Sequence, residues 1–171
     1  MTSPVWVTRP ETQNDIAAIH AVTAAAFPTR DEADLVDALR ADPAAWIDGL
    51  SVVAVDAADT VVAHALLTRC HVDGSPALAL APCSVLPDFQ RRGAGSAAIR
   101  AGLDAARALG EDLVVVLGHA EYYPRFGFTP ASGFGVLAPF DVPDEAFLAL
   151  SLDPGRRAPT GVVRYPAAFG V

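Results

Sequence analysis

The chain has 171 residues, 52% of them hydrophobic and 19% charged, which gives one folded domain with a sizeable core and excludes a disordered chain. Twelve basic residues stand against twenty acidic ones, for a net charge of −8; nucleic acid is excluded as a partner, because its nonspecific binding relies on a basic face. All twelve basic residues are arginines. No apolar run reaches membrane length, since Asp56, Asp59 and Arg69 interrupt the richest region, and no basic-then-apolar leader is visible. The expectation is a cytoplasmic protein without a membrane partner.

The elements follow in order. Residues 5–8 alternate enough for a first strand, ended by Pro10. Thr12 caps a helix to about Ala26, with Ile16, Ile19, His20 and Thr23 on related faces, and Pro28 breaks it. Residues 31–40 form a second amphipathic helix, with Leu35, Val36 and Leu39 inward and Glu32, Asp34 and Asp37 outward. Strands follow at 51–56, 60–69 and 77–85, the last after a turn at Asp73-Gly74-Ser75-Pro76. Pro82 within the third marks a bulge or an edge, because proline cannot donate to a ladder. A long helix spans 93–109, with Ile99, Leu103, Ala106 and Leu109 on one face and Gly110 ending it. A buried strand at 113–117, a short helix at 121–126 and a final strand pair at 147–152 and 161–165 complete the chain. The order, β-αα-βββ-α-β-α-ββ, describes one α/β domain over 1–171.

Cys70 and Cys83 are the two cysteines. Neither a disulfide framework nor a metal site follows from two. If a hairpin turns near Asp73-Gly74, Cys70 lies opposite about Leu78 and Cys83 opposite about Ala65, too far apart for a bridge.

The chemistry concentrates at Gln90-Arg91-Arg92-Gly93-Ala94-Gly95-Ser96, a Gly-rich turn at the start of the long helix. The first N–H groups of a helix lack intrahelical partners, and with the dipole they form a phosphate site. Gly93 and Gly95 let backbone approach a ligand, while Arg91 and Arg92 add permanent charge. The turn is preceded by Val85 and Pro87 and followed by Tyr123-Pro124-Arg125-Phe126-Gly127-Phe128. These two blocks together resemble the GCN5-related N-acetyltransferase (GNAT) family, and a bacterial subgroup of it in particular. Pro124, and Gly118-His119 in place of a commoner Asn, depart from the usual pattern.

The resemblance implies a mixed, mostly antiparallel central sheet flanked by helices, with a splayed strand pair for the cofactor. It implies acetyl-CoA as co-substrate and no metal. The pyrophosphate would sit on Gln90, Arg91, Arg92, Gly93, Ala94, Gly95 and Ser96, and the pantetheine arm on the backbone of Cys83, Ser84 and Val85. Tyr123, five residues before Phe128, takes the family's general-acid position in preference to Tyr122. The acceptor would be an amine of a small molecule or peptide, in a pocket built by residues 15–40 and 147–164. A homodimer is left open. The general base is also open, among His64, His71, His119, Glu32, Glu121 and solvent.

Two other readings compete. Gly93, Gly95 and Ala98 fit a loose dinucleotide-binding pattern, but no acid follows the strand at 113–117 to hold a ribose. A non-catalytic acyl-CoA sensor would keep the same loop without transferring the acyl group.

Overall fold

The computed structural model describes residues 6–171. Its strands are β1 (Val7–Pro10), β2 (Ser51–Val55), β3 (Val61–Val72), β4 (Ser75–Val85), β5 (Leu113–Leu117), β6 (Thr129–Pro130), β7 (Val136–Leu137), β8 (Phe147–Ser151) and β9 (Gly161–Arg164). Three α-helices accompany them: α1 (Ile16–Ala26), α2 (Asp31–Arg40) and α3 (Ala94–Ala108). The main path of the sheet runs β1-β2-β3-β4-β5-β8-β6, with β9 on the far end of β3 and β7 beside β9. All neighbours are antiparallel except β4–β5 and β7–β9. This is the mixed, mostly antiparallel sheet that the family resemblance implies, not the open parallel sheet of dinucleotide-binding folds. Among the described residues no helix is long and apolar enough to cross a membrane.

Alternation along the strands divides the core. Leu67, Leu78, Leu80, Val114 and Val116 pack beneath α3 through Ala98, Ile99, Leu103 and Ala106. On the other face, Val53, Val55 and Leu66 meet Ile19 and Val22 of α1 and Val36 and Leu39 of α2. The same face continues over Cys70, Ala79, Val115 and Ala149 toward β7 and β9. Cys70 and Cys83 are both free thiols, opposite Ala77 and Ala65 respectively. The β3–β4 turn is two residues, Asp73 and Gly74, both at positive φ, so Cys70 meets Ala77 rather than Leu78.

Several expectations are corrected. Val5 lies outside the described residues, and the first strand begins at Val7 and includes Pro10. Trp6 precedes it, with its indole N–H donating to the Arg92 carbonyl. Leu109 is 55% exposed, since α3 ends one residue before it. Leu35 is only partly buried, while Ala33 takes the inward position. The last two strands do not pair with each other. Phe147–Ser151, apolar and almost fully buried, inserts between β5 and β6. Gly161–Arg164 instead covers His71 and Val72 at the end of β3, beyond the reach of β2.

A polar chain ties α2 to the sheet. Arg40 donates through Nε and a terminal nitrogen to both oxygens of Glu11, at 3.0 and 2.9 Å. Ser51 Oγ donates to Glu11, so His64 Nε2 must donate to Ser51 Oγ, at 2.7 Å. His64 Nδ1 is then a buried lone pair without a partner. Burial, with the Arg40 charge second, lowers the His64 pKa to about 3. His64 is therefore neutral and structural, which removes it as a candidate base.

The unfolded chain protonates His64 near 6.5, a proton the folded protein refuses. Its contribution to stability is full above that pH and is lost as pH falls toward 3. The melting temperature should therefore drop more steeply from pH 7 to pH 5 in the native protein than in His64→Gln, as read by thermal denaturation across that range.

Candidate active site

β4 and β5 are in register at only two positions, Leu78 with Val114 and Ala79 with Val115. From Leu80 onward, β4 has no strand on its β5 side. The cause is visible on its other side, against β3. Leu67 faces Leu80 and Ala65 faces Cys83, so one residue of β3, Leu66, is matched by two of β4. This bulge lies at Ala81 and Pro82, where the sequence marked one. It inverts the alternation of the strand. Leu78 and Leu80 pack toward α3, and so do Cys83 and Val85 after the bulge. Ser84 turns to α1, its hydroxyl 3.2 Å from Thr23 Oγ1, which itself donates to the Ile19 carbonyl.

The N-terminus of α3 closes one end of the gap. Gly93 is its N-cap, at φ +88, and Arg91 before it is also left-handed, at φ +62. The first backbone bond of this turn is Ala97 N–H to Gly93 O at 2.9 Å. The N–H groups of Ala94, Gly95 and Ser96 precede it and are the free donors of the helix. A Cβ on Gly95 would fall 2.8 Å from Val85 Cγ2, so only glycine lets α3 sit this close to β4. The loop is held from outside: Trp6 Nε1 donates to Arg92 O at 2.8 Å, and Phe89 meets the same indole edge-on at 5.9 Å.

Two overlapping cavities form a continuous groove here. One, of about 460 Å³, is lined by residues that include Phe89, Arg91, Gly93, Ser96, Tyr122 and Arg125. The other, of about 650 Å³, shares Val85, Gln90, Arg91, Gly95 and Tyr122 with it and extends to Phe27, Cys83, Ser84, His119 and Tyr123. The groove thus has a cationic mouth over a helix N-terminus and a deeper end between the parted strands. That shape and charge suit a long ligand with a phosphate at one end.

The two tyrosine rings meet edge to face at 5.1 Å and send their hydroxyls to different partners. Tyr122 Oη is 3.0 Å from Ser96 Oγ at the mouth, under the Arg125 guanidinium at 4.3 Å. Tyr123 reaches the deep end beside Cys83. Burial first, and the Cys83 thiol second, raise the Tyr123 pKa above the ordinary phenol value. Burial likewise pushes the Cys83 thiol up to about 12. Tyr123 opens a 3-10 turn, Tyr123–Phe126, rather than the α-helix expected at 121–126, with Pro124 tolerated at its start. Its ring lies so close to Gly118 that a Cβ there would sit 2.2 Å from Cε2. The unusual Gly118 is thus the space that the ring occupies.

Comparison with known proteins fits this geometry. Residues 16–128 match the acetyltransferase (GNAT) family. The chain belongs to that family. It is 41% identical over 138 residues to the uncharacterized N-acetyltransferase YjhQ of Escherichia coli, covering 78% of this chain and 75% of that one. The GNAT N-acetyltransferase YhbS of Escherichia coli, solved in complex with CoA, superimposes with a TM-score of 0.87 at 27% identity, over 100% of this chain and 96% of that one. A GNAT acetyltransferase from Brucella melitensis, solved with acetyl-CoA, gives 0.78 at 33% identity, over 96% and 98%.

Of the residues singled out by sequence, Cys83, Ser84, Val85, Gln90, Arg91, Gly93, Gly95, Ser96 and Tyr123 line this GNAT groove. Ala94 is buried beneath it and offers only its N–H. Arg92 turns its guanidinium over Phe89, 5.8 Å from the ring centre. Among the candidate bases, His119 and Glu121 reach the groove, whereas His71 lines a separate cavity with Arg164. Sequence reasoning missed Trp6 and Arg125. Arg125 was within the quoted Tyr-Pro-Arg motif; Trp6, 86 residues from Arg92, gave no local signal. Replacing Trp6 by Phe removes one hydrogen bond, worth about 1 kcal/mol, and should weaken CoA binding about fivefold by calorimetry while leaving the fold intact by circular dichroism.

Proposed function

We propose that this acetyl-CoA-dependent N-acetyltransferase moves the acetyl group to a primary amine of a small molecule or peptide by direct attack, with Tyr123 as general acid. The observation that carries the reading is the two-ended groove. Phosphate donors lie at one end, a strand edge without a partner lies along the middle, and a high-pKa phenol lies at the other end. On this reading the N–H groups of Ala94, Gly95 and Ser96, with Arg91 and Arg125, take the pyrophosphate. Along the stretch Cys83, Ser84 and Val85, the backbone groups of Cys83 and Val85, which face the open edge, bond the pantetheine arm as a strand would, and one N–H there stabilises the oxyanion.

The bond changes assign the remaining roles. The amine nitrogen bonds to the thioester carbonyl carbon, and the C–S bond breaks. The leaving sulfur needs a proton. Tyr123 holds one firmly, because burial keeps its phenol neutral. The proton lost by the new amide nitrogen passes to solvent, with His119 and Glu121 the candidate side chains on the groove. A covalent route through Cys83 is disfavoured, since a thiol with its pKa near 12 is not a thiolate at neutral pH.

Tyr123→Phe should lower kcat about 10²-fold with little change in the Kd for acetyl-CoA. An unchanged kcat, with chemistry rate-limiting, removes the role. Gly118→Ala displaces the same ring without touching its hydroxyl, and should lower kcat at least about tenfold. A non-catalytic sensor would bind acetyl-CoA but release no amine-dependent thiol with any amine.

A further inference from the structure

The face of the sheet opposite α3 holds another cavity, of about 380 Å³. Its floor is the pair of strands where they part, through Ala81 of β4 and Leu117 of β5, and its far wall is Phe140, Tyr165 and Phe169. Leu80 lines it as well, although Leu80 belongs to the core beneath α3. The cavity therefore reaches into the gap between β4 and β5, from the side opposite the phosphate-binding groove. None of its lining side chains is charged, and Tyr165 carries the only hydroxyl among them. The rings form a continuous wall: Phe140 stacks on Tyr165 at 6.2 Å and 23°, and Tyr165 meets Phe169 at 5.1 Å.

We propose that this cavity takes the acceptor, and that it selects compact primary amines bearing an aryl or branched-alkyl group. The proposal rests on the acetyl-transfer reading above and adds the chemical class of the second substrate. Three observations carry it. The cavity and the groove border the gap between β4 and β5 from opposite faces, so an amine held here would approach a thioester held there across it. The lining side chains are aromatic and aliphatic with no acidic one among them, so an apolar group gains by burial whereas a second ammonium would be buried among side chains that offer no counter-charge. The volume lies at the small end for ligand sites, which suits a molecule with one ring better than a peptide chain. Of the residues expected to build the acceptor pocket, 15–40 and 147–164, Ala26 and Phe27 line the groove; this cavity is walled instead by Phe140, Tyr165 and Phe169.

The test follows free thiol released from acetyl-CoA by the purified protein with phenethylamine, isoamylamine, spermidine and a lysine-containing tripeptide. The expected result is a kcat/KM for phenethylamine at least about 10²-fold above that for spermidine or the tripeptide. Leu117→Trp, which fills the cavity from a half-exposed position, should raise the KM for phenethylamine at least about tenfold, with the Kd for acetyl-CoA unmoved by calorimetry. Phe140→Ala, which enlarges the cavity, should shift preference toward a two-ring amine and serves if the first variant does not fold. Equal or better use of spermidine or the tripeptide overturns the proposal and leaves acetyl transfer standing. So does an unchanged phenethylamine KM in a folded Leu117→Trp protein. Failure to bind acetyl-CoA, or the absence of amine-dependent thiol with every amine, overturns both.

Discussion

The separation of β4 from β5 after Ala79 is the constraint on which the rest of the structure depends. A strand edge left without a partner inside a sheet is normally costly, because buried N–H and C=O groups must be satisfied. Here the edge opens into cavities on both faces. The bulge at Ala81 and Pro82 bends β4 away and moves Cys83 and Val85 to the α3 side. Proline suits this stretch, since it carries no N–H to leave unpaired. On the proposed reading, the cofactor arm supplies the missing strand.

Close packing sets the walls at the ends of the gap. Gly95 lets α3 rest on Val85, and Gly118 makes room for the Tyr123 ring. Trp6 reaches over from before β1 to hold the carbonyl of Arg92. On the opposite face, the Arg40–Glu11–Ser51–His64 chain and the Thr23–Ser84 contact fix α1 and α2 against β2, β3 and β4. The helices thereby brace β4 from both sides, while its edge toward β5 stays open.

Much of this was legible in the sequence. Periodicity and turn residues located all three helices and every strand of four residues or more, because those signals are local. Pro82 marked the bulge. The glycine turn with the Tyr123 segment marked both ends of the groove, since each chemistry needs a fixed spacing along the chain. What was not legible depends on contacts across the chain. The pairing of β8 with β5 and of β9 with β3 is decided by which edges are already covered. β6 and β7, two residues each, carry no period. His64 looked titratable until burial and Ser51 fixed it as neutral. Phe140, Tyr165 and Phe169 are scattered aromatics that only the fold assembles into one wall.

The central claim is that the open edge of β4 receives the cofactor arm as a strand. Hydrogen–deuterium exchange with and without CoA reads this directly. The account predicts slowed exchange at the Cys83 and Val85 amides and at Ala94, Gly95 and Ser96 when CoA binds, with β9 unchanged. CoA binding that protects the α3 amides but leaves those of β4 exchanging freely would contradict it.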